Sequence, residues 1–86
     1  MEYKVIWHEK VLRDLETIDK KDASRIVDRV KTYLVKNPMS LGAPLKGTLQ
    51  GLFRYRFGAH RVIYAVDIAE KRLIILHIKH RKEAYR

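Results

Sequence analysis

Apolar and polar residues change their period several times along the chain, and each change indicates a different element of secondary structure. Residues 3–8 alternate between more and less apolar positions, which is typical of a short strand. From Glu9 onward the apolar positions recur at helical spacing. They are Val11, Leu12, Leu15 and Ile18. The pattern therefore predicts a strand followed directly by an amphipathic helix.

A second apolar stripe predicts a second helix from about Ala23 to Lys36, after a polar break. Asp22 is a suitable N-cap for it, because its side-chain oxygen can accept a hydrogen bond from a free N–H of the first turn. Pro38 ends this helix, since the residue before a proline avoids the helical conformation. Residues 37–51 contain two prolines and three glycines and are predicted to form an extended loop.

A tight hairpin dominates the C-terminal half of the chain. Leu52 to Phe57 and His60 to Val66 follow the strand period, and Gly58-Ala59 between them fits a two-residue type II′ turn. Such a turn fixes the register, so it also fixes which side chains share a face. Phe57 is then predicted to lie opposite His60, and the pairing continues residue by residue away from the turn.

A further strand is predicted from Arg72 to Lys79, after a polar turn. The all-aliphatic set on one side of this strand is expected to join the core. It consists of Ile74, Leu76 and Ile78. His77 and Lys79 on the other side are then expected to share a face with basic residues of the hairpin.

The predicted order of elements is strand, helix, helix and three strands. The last three strands should form an antiparallel meander, and the first strand should join the same sheet beside a later one. Two helices that cover one face of such a sheet place the chain in the α+β class. Its 86 residues suit a single domain over residues 1–86.

The hairpin register gives the sheet one apolar face and one basic face. The apolar set is Phe53, Tyr55, Phe57, Val62, Tyr64 and Val66. The opposite face collects Arg54, Arg56 and Arg61. Like charges directly opposite each other destabilise a sheet by about 1 kcal/mol or less per pair, so this arrangement indicates a binding site for a polyanion. The alternative is a solvated face chosen for solubility, although mixed charges would serve that purpose better.

The net charge of +9 is concentrated in the half of the chain that carries the hairpin. Residues 1–45 hold nine Lys and Arg against seven Asp and Glu, whereas residues 46–86 hold ten against three. This asymmetry favours nucleic acid or an acidic protein as partner. The absence of cysteine excludes disulfides and thiolate metal sites. No apolar run approaches membrane-spanning length and no signal peptide is recognised, so a soluble cytoplasmic protein is expected.

Taken together, these residues resemble the RelE/ParE superfamily of bacterial and archaeal toxins from toxin–antitoxin modules. The resemblance covers essentially the whole chain and is closest to the RelE branch. It is carried by Leu45-Lys46-Gly47, Leu52-Phe53-Arg54-Tyr55-Arg56, His60-Arg61-Val62-Ile63-Tyr64 and His80-Arg81, with Tyr85 four residues on. Each piece alone is weak, but the ordered set at these spacings is specific.

The resemblance implies a microbial-ribonuclease-like fold and ribosome-dependent cleavage of mRNA without a metal or other cofactor. It implies that Arg61 stabilises the phosphate, that Arg81 assists the leaving group, and that Tyr85 acts as general base or stacks on a nucleobase. Arg54 and Arg56 stand where lysine is common in the family. Arginine keeps the charge but hardly ever deprotonates. The implied partners are mRNA, the ribosome with its rRNA, and a RelB-like antitoxin that holds the toxin inactive.

The predicted basic face suits charge stabilisation better than proton transfer, because no acid is expected on it. RNA is cleaved when its own 2′-hydroxyl attacks the adjacent phosphate, which requires orientation, a proton acceptor and stabilisation of negative charge. A tyrosine with an ordinary pKa near 10 is a poor base at neutral pH, although surrounding guanidinium groups would lower the pKa of Tyr85. The other candidate RNA-binding residues are Lys46, His77, Lys79, His80 and Lys82. No metal site is predicted, since the two histidines among these have no third ligand nearby.

Two other functions remain open at the level of sequence. A ParE-type toxin shares the fold and the antitoxin but inhibits DNA gyrase by protein contact. A noncatalytic RNA- or ribosome-binding module would use the same basic face for phosphates only. The combination of basic residues with a C-terminal tyrosine favours the RelE-type nuclease.

Overall fold

A five-stranded sheet carries the helices on one of its faces. The computed structural model describes residues 2–80, so the candidate residues Arg81, Lys82 and Tyr85 lie outside the described range. The elements are β1 (Lys4–Trp7), α1 (Glu9–Glu16), α2 (Lys20–Thr32), α3 (Pro38–Leu41), β2 (Ala43–Pro44), β3 (Phe53–Phe57), β4 (His60–Asp67) and β5 (Arg72–His80). Short 3₁₀ turns occupy Leu34–Lys36 and Gly47–Leu49.

The strand order across the sheet is β1-β5-β4-β3-β2. Strands β3, β4 and β5 form the antiparallel meander expected from the sequence. Strand β1 joins the same sheet beside β5, in parallel, so the sheet is mixed. The predicted α+β class and order of elements are therefore confirmed.

The register of the hairpin is the one that its turn residues predict. Phe57 lies opposite His60, and Arg56 lies opposite Arg61. Gly58 has a φ of 61°, as the first central residue of a type II′ turn requires. Since Gly adopts this conformation without steric cost, the register follows from the local sequence.

A β-bulge in β5 makes part of the predicted facing wrong. Ile63 pairs with His77 but Tyr64 pairs with Ile75, so Leu76 is an extra residue between the two pairs. Because of the extra residue, the side chains of β5 that precede Leu76 lie on the opposite faces from those predicted. Leu73 and Ile75 are therefore the residues that are fully buried. Ile74 and Leu76 are only half-buried, contrary to the expectation that they join the core. Ile78, beyond the bulge, is buried as expected.

The core fills the space between the helices and the sheet. Val11 of α1 and Ile26 and Val30 of α2 are buried against residues of the meander. The meander contributes Val62, Tyr64, Leu73, Ile75 and Ile78. The opposite face of the sheet is therefore left uncovered by the described helices.

None of these helices is long and apolar enough to span a bilayer.

The second helix begins earlier than the sequence indicates. Helix α2 starts at Lys20, and the Ala23 N–H donates to the Asp19 carbonyl at 2.8 Å, so Asp19 and not Asp22 is the N-cap residue. Asp22 lies in the first turn, where the helix dipole favours negative charge. Both aspartates lie within the short polar stretch at residues 19–22, so the sequence did not indicate which of them is the N-cap.

The segment predicted as an extended loop contains short regular elements. Helix α3 begins with Pro38, a residue whose fixed φ suits the first helical position. Strand β2 then pairs Ala43 with Arg54 at the edge of the sheet. A buried hydrogen bond from the Tyr64 hydroxyl to the Pro38 carbonyl, 2.6 Å long, ties this segment to the core. Burial, with a smaller contribution from Tyr55, raises the pKa of Tyr64 well above its usual value.

We expect Tyr64→Phe to lower the free energy of unfolding by about 1–2 kcal/mol, because the buried Pro38 carbonyl loses its donor. The ring itself stays packed, since it stacks on Phe53 with 5.5 Å between centroids. Urea unfolding followed by circular dichroism measures the change. Tyr33→Phe, at a half-exposed ring, is the matched control and should change stability by less than about 0.5 kcal/mol. Equal unfolding midpoints for the two variants would contradict the expectation.

Candidate functional site

The uncovered face of the sheet carries a row of three cationic side chains. Arg56 of β3 lies opposite Arg61 of β4, and Arg61 lies opposite Lys79 of β5. Cross-strand partners project from the same face of a sheet, so the three charges form one row across three adjacent strands. Arg54 shares this face two residues further along β3. The clustering of arginines predicted from the turn is thus present, and it extends to Lys79.

The cations of this row differ in their contact with solvent. Arg56 is exposed, whereas Arg54 and Lys79 are half-buried. Arg61, in the middle of the row, is only 8% exposed. Because solvent screens a buried charge less than an exposed one, Arg61 is best placed to stabilise an anion held against the sheet. Arg56 is better placed to attract one from solution.

The charged row occupies only one half of the uncovered face. Further from the hairpin turn, the positions with the same facing are Ile63 and Ala65 of β4, with Ile74 of β5 opposite Ala65. These side chains are half-buried although none of the helices within residues 2–80 covers them. The face therefore changes from basic to apolar along the strands.

His77 lies on this face of the sheet and also contacts helix α1. Its pairing with Ile63 places it on the side of Arg61 and Lys79. Its Nδ1 lies 2.6 Å from the Asp14 Oδ2, and the same oxygen accepts a hydrogen bond from the Ile78 N–H at 3.0 Å. The two side chains are 22% and 18% exposed, respectively. Asp14 therefore brings a carboxylate to the margin of a face on which the sequence predicts none.

Asp14 is a site residue that reasoning from the sequence missed. One signal was available, because Asp14 follows Val11 by three positions and precedes Ile18 by four. A polar residue inside an apolar helical stripe indicates a buried polar contact. The identity of its partner, 63 positions away, could not be read from the sequence.

The two remaining histidines of the hairpin region lie on the other side of the sheet. His60 pairs with His80, and their rings meet edge to face with centroids 5.2 Å apart. They line a cleft of about 600 Å³ beneath the connection between α1 and α2. His80, predicted to bind RNA, is thus not brought together with the arginines.

The other predicted site residues are placed as follows. Lys46 is exposed just before the 3₁₀ turn Gly47–Leu49 and beside strand β2. Arg81, Lys82 and Tyr85 fall outside the described residues. Within residues 2–80, no group of three or more histidine or acidic side chains could hold a metal ion.

Comparison with known proteins gives consistent matches over nearly the full chain. A family model described as the ParE toxin of the type II toxin–antitoxin system parDE matches residues 5–85. Toxin RelE of Mycobacterium tuberculosis is 42% identical over 74 residues, which span 86% of this chain and 76% of that protein.

Solved structures show the same fold. The toxin–antitoxin complex RelBE2 of Mycobacterium tuberculosis contains a chain that superposes with a TM-score of 0.90 at 28% identity, covering 94% of this chain and 100% of that one. An archaeal RelE–RelB complex from Pyrococcus horikoshii gives a TM-score of 0.73 at 30% identity, over 94% and 97% of the two chains. The chain thus belongs to the RelE/ParE family of toxins from type II toxin–antitoxin systems.

Proposed function

We propose that this toxin is a ribosome-dependent endoribonuclease that cleaves mRNA and thereby inhibits translation. The observation that carries the proposal is the row formed by Arg56, Arg61 and Lys79, with Arg54 beside it. A row of cations across adjacent strands can contact the phosphates of a single RNA strand, and such contacts supply most of the affinity for a nucleic acid. Cleavage requires in addition that charge be stabilised at one phosphate, for which Arg61 is the best placed of these cations.

The proposed reaction is attack of the 2′-hydroxyl on the adjacent phosphorus. The bond from O2′ to phosphorus forms, the bond from phosphorus to O5′ breaks, and the products are a 2′,3′-cyclic phosphate and a 5′-hydroxyl. Arg61 stabilises the extra negative charge on the phosphate oxygens, while Arg54 and Arg56 hold the neighbouring phosphates. Arg81 and Tyr85 keep the roles that the family resemblance implies, namely assistance to the leaving group and proton transfer or base stacking. Dependence on the ribosome follows if the ribosome supplies the in-line geometry that a flat basic face does not.

A RelB-like antitoxin is the proposed protein partner. The uncovered face is basic in one half and apolar in the other, so a segment with acidic and apolar residues would complement both halves. The structures of the two neighbouring complexes contain RelE-type toxins with their antitoxins. An antitoxin bound there would cover Arg61 and exclude RNA.

A ParE-type activity is the second candidate, because the matching family model is described as a ParE toxin. Such a toxin would inhibit DNA gyrase through protein contact and would leave mRNA intact. A noncatalytic module that binds RNA or ribosomes is the third candidate, since phosphate contacts alone do not require chemistry.

Mapping transcript 5′ ends after brief induction distinguishes these functions. We expect new 5′-hydroxyl ends within translated regions, with 2′,3′-cyclic phosphates on the upstream fragments. Purified toxin should produce the same ends on mRNA bound to ribosomes and far fewer on free mRNA. DNA breaks with intact mRNA would establish the gyrase activity instead, and binding to ribosomes without scission would establish the noncatalytic module.

A further inference from the structure

We propose that His77 is the general base of this site and that Asp14 positions it, which leaves to Tyr85 the stacking role of the two that the resemblance implies. The inference rests on the proposed RNA cleavage and adds the group that the basic face lacks. Guanidinium groups do not release protons in proteins, and a tyrosine with an ordinary pKa is a poor base at neutral pH. An imidazole is the side chain best suited to accept a proton near neutral pH.

The contact with Asp14 fixes which imidazole nitrogen is free to react. The carboxylate of Asp14 only accepts hydrogen bonds, so the His77 Nδ1, 2.6 Å away, carries the proton. In the neutral ring the Nε2 is then an unprotonated acceptor. Asp14 is itself held by the Ile78 N–H. The carboxylate therefore fixes both the tautomer and the orientation of the ring, the role that a third group has in catalytic triads.

The β-bulge places His77 on the arginine face. Without the extra residue Leu76, continuation of the pairing between Tyr64 and Ile75 would set His77 opposite Val62, on the side of the helices. With the bulge, His77 lies opposite Ile63, which is two residues from Arg61 on the same strand. Bulges are over-represented beside active sites because they re-aim a side chain in this way.

The other imidazoles of the described residues lie or bind elsewhere, and so does the carboxylate of Asp67 on β4. His8 caps helix α1, with its Nδ1 accepting from the Lys10 N–H, and His60 and His80 lie on the opposite face of the sheet. Asp67, near the far end of the strands, is paired with Arg72 at 3.1 Å. Within residues 2–80, His77 is thus the imidazole that the register brings to the cationic row.

In the proposed step, the His77 Nε2 takes the proton of the 2′-hydroxyl as O2′ bonds to phosphorus. The bond from phosphorus to O5′ breaks, and the leaving oxygen takes a proton from water. The imidazolium then returns its proton to solvent. The charged groups that face the His77 ring are Asp14 from α1 and the cations nearest in register, Arg61 from β4 and Lys79 on β5.

The test compares His77→Gln, Asp14→Asn and wild type in single-turnover cleavage of ribosome-bound mRNA between about pH 5 and 8. His77→Gln should lower the rate about 10²–10³-fold and remove its rise with pH, while binding to ribosomes changes less than twofold. Asp14→Asn should lower the rate by at least about tenfold and change the pH profile, because the ring loses the carboxylate that fixes its tautomer. His77→Ala should recover activity when imidazole is added to the buffer, a response that a purely structural residue would not give.

His8→Asn is the matched control, because it removes an exposed imidazole from the start of α1 while asparagine preserves the N-cap. Rates are normalised to the folded fraction measured by circular dichroism. The assignment would be overturned if folded His77→Gln kept the wild-type rate and pH profile, or if His77→Ala did not respond to imidazole. Either result would leave the proposed nuclease function intact. A wild-type protein that leaves ribosome-bound mRNA intact would overturn the proposed function and this assignment with it.

Discussion

Arg61→Ala is expected to lower the rate of mRNA cleavage about 10²–10³-fold, which is the effect of removing one group that stabilises charge in a transition state. Arg61 is central in the row, between Arg56 and Lys79, and it is far more buried than Arg56. A phosphate held there would meet a guanidinium that water screens weakly. The loss should appear in the cleavage rate and, in cells, as loss of growth arrest.

Two further variants separate the local contact from the general positive charge. Arg61→Lys keeps the charge but loses the planar fork that can grip two phosphate oxygens, so partial activity is expected. Lys31→Ala removes one charge from an exposed position on α2 and should leave the rate within about twofold of wild type. Circular dichroism verifies that each variant is folded. Full toxicity of folded Arg61→Ala would rule out the proposed role of this residue.

Gly42→Ala is expected to lower the free energy of unfolding by about 3 kcal/mol, the upper part of the range for overpacking. The backbone at Gly42 is extended, so an alanine meets no conformational penalty there. The penalty is steric, because a Cβ atom would collide with the Tyr64 hydroxyl and lie 3.0 Å from the Arg54 carbonyl oxygen. The Tyr64 side chain cannot easily move away, since its hydroxyl is hydrogen-bonded to the Pro38 carbonyl and its ring is stacked on Phe53.

A double-mutant cycle tests this steric explanation. Tyr64→Phe removes the hydroxyl that the new methyl group would meet, so the combined variant should be more stable than the sum of the two separate losses implies. Urea unfolding of wild type, both single variants and the double variant gives the coupling energy. Additive losses, or a Gly42→Ala variant as stable as wild type, would contradict the close approach of Gly42 to Tyr64.

Both predictions concern the same part of the molecule. Gly42 and Ala43 bring strand β2 against Arg54, while Tyr64 ties α3 to the strand that carries Arg61. Packing of the segment before the hairpin thus supports the strands that present the cationic row. We therefore expect Gly42→Ala to reduce activity through the folded fraction, without changing the rate per folded molecule.

The sequence by itself determined the hairpin and its basic face. A two-residue turn with glycine first, between alternating strands, fixes the register locally, and that register places Arg56 opposite Arg61. The helical stripes and the order of elements are local signals of the same kind. Of the proposed catalytic residues, Arg54, Arg56 and Arg61 are brought to one face, and the roles of all five, with Arg81 and Tyr85, remain predictions.

Only the tertiary structure decided that Leu73 and Ile75 of β5 face the core and which partner His77 has. The bulge at Leu76 has no clear mark in an aliphatic run, yet it inverts the parity of Leu73 and Ile75, whereas the predicted facing of His77, Ile78 and Lys79 is confirmed. The contact between Asp14 and His77 joins residues 63 positions apart, and it exists because α1 lies along the edge of β5 where β1 ends. Such contacts depend on how elements pack, and periodicity carries no information about packing between distant segments.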